Sequence, residues 1–451
     1  MGRKQNKVLL RIIIAVQLLR RRNYAEITSM RKLLQLAFVL TAIMSCSSAL
    51  AQTCSQSGNT HLYCVPIQAV EDLSIPGSKV VATVPPAFSG LNASLGIELS
   101  DVPKPSPASG IVFSFGPSGL TRERELGPIF TERPSIVGRH KLYVAFTYQY
   151  FEFDKIDSVP LKNIPLMLSG CQSGTSGCIT NPFIETESRL DLKVHQFTLY
   201  ATYGLLSRLD VSVAVPLLDV RMGMDTTCSI CGQTQPNGSL LLFTPNSNAA
   251  SAGGIGDVTF RAKWTAIKGE RAGLAVGVDL RTPTGNDLNY LGSGAIGVRP
   301  FAAVDYRGRI SPHASIGYEA NGSSILASTD QIKAKSLPNF LTYTVGADFG
   351  ILKTLSVTAD LLGSTYFNAN KLFLSPQGLG PQGLGNTDVQ CSLIPGSTTC
   401  QTENFNTDSI SLGAKYNPRG NLLVTANVLF KLDNNGLHYK PAPMVGISYT
   451  F

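Results

Sequence analysis

After residue 51 the chain contains no apolar run approaching the ~18–20 residues that a membrane-spanning helix needs. Charge is also scarce, at 15%, beside an ordinary hydrophobic share of 43%, a combination that excludes a disordered, self-repelling chain. An excess of one sign is missing where it would matter. Of 38 Lys and Arg against 30 Asp and Glu, residues 1–51 hold nine basic residues and one acid, Glu26, which leaves 29 of each in 52–451. A net +8 invites a nucleic-acid partner, but the balanced body expects none. Histidine is sparse too: His61, His140, His195, His313 and His438 are the full set, and none belongs to a recognisable nucleophile motif. Nucleophilic catalysis needs a base within hydrogen-bond reach, so no catalytic residue is assigned and an enzyme is the weakest functional reading.

What is present begins with an address. Met30-Arg31-Lys32 opens a short apolar run over 33–44, and small residues lead to Ala49-Leu50-Ala51. A basic start, a short apolar core and an A-x-A site read as a secretory signal peptide over 30–51, cleaved after Ala51. Residues 1–29 complete a targeting segment 1–51, as a mis-assigned start or a basic extension, with an amphipathic helix as the alternative. Cys46 stands two residues after Met44, which is large for a lipid-attachment site.

Export implies an oxidising compartment. The eight cysteines beyond Cys46 fall into neighbouring couples, Cys54/Cys64, Cys171/Cys178, Cys228/Cys231 and Cys391/Cys400, and proximity favours these as disulfides. Cys228-Ser229-Ile230-Cys231 has the spacing of a redox or metal site, yet no second CxxC, clustered histidine or βαβ pattern accompanies it. A loop disulfide is the reading, and neither metal nor cofactor is expected. Gly253-Gly254-Ile255-Gly256 precedes a strand pattern instead of opening a helix, so it fails the context test for a phosphate loop.

The body alternates with period two. Ile410, Leu412, Ala414 and Tyr416 share one face of 408–417, and Ser411, Gly413 and Lys415 the other. Such alternation marks a strand with one apolar and one polar face. It recurs over 141–153, 191–203, 209–221, 256–268, 272–282, 295–307, 311–322, 338–350, 354–367, 408–417, 421–432 and 441–451, twelve candidate strands. Tight turns at 204–208, 269–271, 308–310, 351–353 and 418–420 alternate with longer connections at 154–190, 222–255, 283–294, 323–337, 368–407 and 433–440. An even strand number with a long–short loop rhythm is that of a transmembrane antiparallel β-barrel over 141–451. A soluble sandwich would alternate as well; the signal peptide, the loop rhythm and the terminal Phe451 favour the barrel, with Phe451 as its address for the barrel-assembly machinery.

A lipid-facing row should be free of charge, because Arg or Lys at midplane costs about 2–4 kcal/mol. Val258, Phe260, Ala262 and Trp264 obey, as do Leu274, Val276, Val278 and Leu280, and Leu355, Val357, Ala359 and Leu361. Strand charges take the other phase, which makes Arg261, Lys263, Asp279, Arg281, Arg299, Asp305, His313, Glu319, Asp348, Asp360 and Lys415 the lumen-lining candidates. Register across the tight turns sets Arg261 opposite Asp279, Asp305 opposite His313 and Arg299 opposite Glu319, as ion-paired rungs. The segment 191–203 fits poorly, since Lys193 and His195 share the phase of Phe197 and Leu199; a bulge or a shorter membrane segment is expected there.

On Tyr203-Gly204-Leu205-Leu206-Ser207-Arg208-Leu209-Asp210-Val211, Val213-Ala214-Val215-Pro216-Leu217, Gly254-Ile255-Gly256-Asp257-Val258, Leu280-Arg281-Thr282-Pro283-Thr284-Gly285-Asn286 and Pro312-His313-Ala314, the chain resembles the meta-pathway phenol-degradation family of bacterial outer-membrane barrels. The resemblance covers about 140–451. It implies an outer-membrane transporter, distantly similar to channels for fatty acids and aromatic hydrocarbons, and so uptake of small, apolar or aromatic molecules. Its motifs specify turns and strand starts, and none carries a substrate residue. A structural or adhesive barrel acting through disulfide-tied loops is the rival function.

Residues 52–140 differ in texture, Pro-rich at 103–107, with weak strand signals at 91–99 and 110–115 and a charge-mixed stretch at 119–125. They read either as a plug inside the lumen or as a periplasmic extension. The repeat Pro376-Gln377-Gly378-Leu379-Gly380, Pro381-Gln382-Gly383-Leu384-Gly385 reads as an irregular external loop.

Overall fold

Each alternating segment forms a strand in the computed structural model, which describes residues 54, 61–71, 80–83, 91, 94–99, 102–107, 113–116, 119–122, 126, 128–172, 183–230, 246–269, 271–308, 310–327, 335–377, 386–390 and 402–451. The wall strands are β1 (Leu142–Ile156), β2 (Phe183–Gly204), β3 (Leu209–Ile230), β4 (Thr259–Lys268), β5 (Ala272–Arg281) and β6 (Gly297–Tyr306). They continue as β7 (Ile310–Asn321), β8 (Asn339–Leu352), β9 (Leu355–Asn370), β10 (Thr402–Arg419), β11 (Leu422–Lys431) and β12 (Ala442–Thr450). Each pairs antiparallel with the next, and β12 returns to β1 with Tyr449 opposite Val144. Closure leaves no wall edge whose backbone groups would face hydrocarbon unpaired, the condition for spanning a bilayer with strands.

The outer surface is a row of exposed apolar side chains, among them Phe260, Val276, Val304, Ile316, Val345, Leu361, Leu412, Val424 and Ile447. Trp264, Tyr306, Phe349, Tyr416 and Tyr449 ring it towards the short turns. The protein is a transmembrane barrel, its apolar belt flanked by aromatic rings. Val258 departs from the expected outer row: it precedes β4 and is buried.

At 22 residues each, β2 and β3 are about twice the ~9–11 that a membrane strand needs. Their polarity inverts beyond the belt. Val220, Met222 and Met224, with Leu190, Leu192 and Val194, point inward and are buried. Asp219 and Arg221 pair outside at 2.9 Å, as do Asp191 and Lys193 at 2.7 Å. Water on the outside and an apolar core inside reverse the arrangement that lipid imposes lower down. This resolves the poor fit of 191–203: register is unbroken from Glu187 to Gly204, so no bulge exists, and Lys193 and His195 stand on the extension above the belt. Much of the expected loops 154–190 and 222–255 is therefore strand, including Ile164–Gln172 and Asn246–Ile255 paired onto β2 and β3.

The core of this extension is completed from the N-terminal segment. Helix α1 (Val65–Glu71) lies against β3 and the strand Asn246–Ile255, with Asn248 donating to Gln68 at 2.7 Å. Leu62, Tyr63, Ile67, Leu91, Leu95 and Leu99 join Phe151, Leu192 and Met222 in one cluster. Residues 94–99 are helical, correcting the expected strand at 91–99. Phe113–Gly116 pairs with Gly119–Arg122 in a small hairpin separate from the wall sheet.

Of the four expected disulfides, Cys54–Cys64 is formed, with an S–S distance of 2.06 Å. It is the single disulfide among the described residues. The expected bonds Cys171–Cys178, Cys228–Cys231 and Cys391–Cys400 each involve a cysteine outside the described residues: Cys178 in the first, Cys231 in the second, and both Cys391 and Cys400 in the third. Cys171 and Cys228 have a described backbone in strands, where Cys171 lies opposite Val81 and Cys228 opposite Thr186, instead of in the loops expected for them. The targeting segment 1–51 and most of the 376–385 repeat also lie outside the described residues.

Because the belt is read from side-chain phase, charge tests it. Leu412→Lys is expected to destabilise the barrel by about 2–4 kcal/mol, whereas Ala249→Lys, exposed on the extension, changes stability by less than about 0.5 kcal/mol. Unfolding in detergent or lipid measures both.

Candidate functional site

The inward phase of β4 to β10 carries all eleven charged candidates. Ten are buried, and Arg299 is half-buried. Asp279 is central: Arg261 faces it from β4 at 2.6 Å and Arg299 from β6 at 2.6 Å, a three-strand rung set by direct register. The other two expected rungs keep their backbone register but not their partners. Asp305 lies opposite His313, yet its carboxylate is 3.5 Å from Arg307 while the His313 ring turns to Asp360 at 2.6 Å. Arg299 turns to Asp279, and Glu319 is taken instead by Arg281 at 2.9 Å.

Glycines explain these choices. Gly346 stands between His313 and Asp360 in register, and Gly297 lies opposite Arg281 on one side and Asn321 on the other. With no side chain there, the long group on one strand crosses its neighbour and bonds to the strand beyond. Arg281 thus reaches Asn321 at 2.5 Å and Glu319 on β7. Its remaining nitrogen donates at 3.2 Å to Asp257, a buried carboxylate that also accepts from Ser293 N, Ser293 Oγ and Gly285 N. Asp257 lies within the expected strand 256–268 but ahead of β4 in the structure, and it is not among the lumen-lining candidates.

The N-terminal segment meets this wall from within. Glu132 accepts from Lys263 Nζ at 2.7 Å, from Ser106 Oγ at 2.5 Å and from Arg261. Lys263 also donates to the carbonyls of Arg133 and Ser135, and Lys415 to those of Leu126 and Pro128. Thr131 donates to Asp360 at 2.9 Å, and Val137 N to Asp210 at 2.8 Å. Burial alone would raise the Glu132 carboxyl, but the cations of Lys263 and Arg261 outweigh it and hold the group below the ordinary carboxylate range. Sequence reasoning missed Glu132 because its partners lie about 130 residues away.

Between segment and wall remains a cavity of about 240 Å³. Pro103, Pro105, Phe130 and Glu132 line it from the segment, and Arg261, Arg299, Phe301, Tyr366, Ser409 and Lys431 from the wall.

The family described as "Putative MetA-pathway of phenol degradation" matches residues 194–437, just over half of the chain. The chain belongs to this family. No curated protein matches its sequence. Solved structures similar to this family member include an outer membrane channel from Pseudomonas putida F1, with 14% identity over 69% of this chain and 96% of that one and a TM-score of 0.41. A FadL homologue from Pseudomonas aeruginosa shares 11% identity over 76% and 95%, with a TM-score of 0.29. The transport unit of the autotransporter AIDA-I from Escherichia coli shares 10% over 82% and 100%, with a TM-score of 0.37. These likenesses assign the family member no activity.

Two outcomes follow from the site. A Cβ at Gly297 would sit 2.5 Å from Glu319 Oε1 and 2.9 Å from Arg281 Nη2, so Gly297→Ala is expected to cost about 1–3 kcal/mol of stability. Glu132→Gln strips Lys263 and Arg261 of a shared carboxylate and is expected to cost about 3 kcal/mol at neutral pH. Because the folded-state pKa of Glu132 is depressed, its contribution is present above about pH 4.3, the unfolded value, and is lost as pH falls through the folded one. Thermal unfolding against pH should therefore show an acid decline that is smaller in Glu132→Gln.

Proposed function

We propose that the chain is a channel of the bacterial outer membrane for small, apolar or aromatic molecules, with residues 52–140 acting as a plug in its lumen. The observation that carries this reading is the cavity of about 240 Å³ left between the segment and the charged inner wall. A barrel serving only as a scaffold for loops has no need of such a space. Its size, under the ~300–1,000 Å³ of drug-sized sites, suits a small molecule. The rings of Phe130, Phe153, Phe301 and Tyr366 line it, and the family's description concerns phenol degradation; both favour aromatic solutes.

In this reading the eleven inward charges line the solute path and fasten the plug, and the chain is a conduit rather than an enzyme. Residues 30–51 direct export and are removed after Ala51, and the three couples Cys171/Cys178, Cys228/Cys231 and Cys391/Cys400 form disulfides on the external side. Phe451, exposed beside the seam with its N–H donated to Leu142 O, is the contact for the barrel-assembly machinery.

Single-channel recording in planar bilayers tests the proposal. Wild-type protein should show small, infrequent openings, and Glu132→Gln, which loosens the plug, should raise open probability about tenfold or more. Absence of conductance and of phenol uptake into liposomes from both proteins would leave the structural barrel as the reading.

A further inference from the structure

The cavity has an unequal inventory of hydrogen-bonding groups. Four acids line it, Glu98, Glu132, Asp279 and Glu319, and each carboxylate is already engaged. Glu132 accepts from Lys263, Arg261 and Ser106, and Asp279 from Arg261 and Arg299. Glu319 accepts from Arg281, and Glu98 from Leu437 N. The cations are not used up in the same way. Arg299 spends Nε and Nη2 on Asp279, while Nη1 bonds to nothing among the described residues and its side chain keeps 28% of its exposure. Lys431 has only 5% of its side chain exposed, and among the described residues its nearest carboxylate, Asp433, is 3.8 Å away, beyond hydrogen-bond length. Its ammonium has no hydrogen bond among the described residues and is left to the cavity that it lines.

Arg299 and Lys431 stand on β6 and β11, five strands apart around a wall of twelve, and so approach the cavity from nearly opposite sides. Aromatic rings from Phe130, Phe301 and Tyr366 line the space between segment and wall. Unspent donors facing aromatic surface match one class of molecule. We propose that the cavity is a binding site for a small aromatic carboxylate, its anionic group taken by Arg299 and Lys431 and its ring held against the phenylalanines. A charge-assisted bond to either cation is stronger than the contact a neutral alcohol of the same shape could make. The inference rests on the cavity being part of a solute path, and it narrows the solute from aromatic molecules in general to aromatic anions.

The test uses the full mature chain in detergent, with benzoate and benzyl alcohol as probes in equilibrium dialysis. Benzoate should bind at least tenfold more tightly than benzyl alcohol. Arg299→Gln and Lys431→Met should each weaken benzoate at least fivefold and leave benzyl alcohol within twofold. Ser364→Asp, which adds an anion to the cavity lining, should weaken benzoate similarly and provides the readout if either cation variant fails to fold. Equal binding of the two probes, or benzoate affinity indifferent to the folded variants, overturns the proposal. Flux of both probes into liposomes separates this from the channel reading. Passage without preference for benzoate keeps the channel and removes the anion site; selective binding without passage keeps the site and removes the channel.

Discussion

One carboxylate, Glu132, faces two cations of a single strand, Arg261 and Lys263. Much of the interior depends on that arrangement. Two like charges buried at alternate positions on the inward face of β4 would repel, and an acid from the chain's own N-terminal segment lies between them. Arg261 then turns its other edge to Asp279, which passes the alternation of charge to Arg299. Lumen charge is thereby neutralised along a chain of partners that begins outside the barrel strands. Segment and wall complete one electrostatic structure.

The wall was readable in the sequence because lipid imposes a strict rule on it. Every other residue must be apolar, and the segments from Leu142 to Ile447 comply closely enough to place twelve strands and both faces. Where lipid stops, that rule stops too. Val220, Met222 and Met224 keep period two while reversing which phase is apolar, and the outer parts of β2 and β3, residues 183–190 and 222–230, fell within the expected long connections. The expected partners failed for a different reason. Register predicts who stands opposite whom, and Asp305 does stand opposite His313. Which way a long side chain turns depends on gaps left by glycine on the next strand, and Gly346 drew His313 to Asp360.

The site was the least legible part. Its residues from 98–107 and 130–132 belong to a segment whose only signals were weak strands at 91–99 and 110–115, among proline and mixed charges. Their contacts with the barrel span about 95 to 340 positions. Composition gave the wrong impression as well: equal counts of acid and base suggested neutrality throughout, whereas the cavity uses its acids fully and leaves donors on Arg299 and Lys431.

In the proposed plug the segment starts among the long connections, where α1 is packed, and ends at the short turns, where Val137 meets Asp210 and β1 begins. As the proposed plug, the segment makes the polypeptide run through a ring built from its own later residues, a self-threaded rotaxane with a folded stopper above and a covalent tether below. Such a topology constrains history. Either the strand carrying Leu142 and the strand carrying Tyr449 zip together around a segment already in place, or the stopper passes the pore as open chain and folds on the far side.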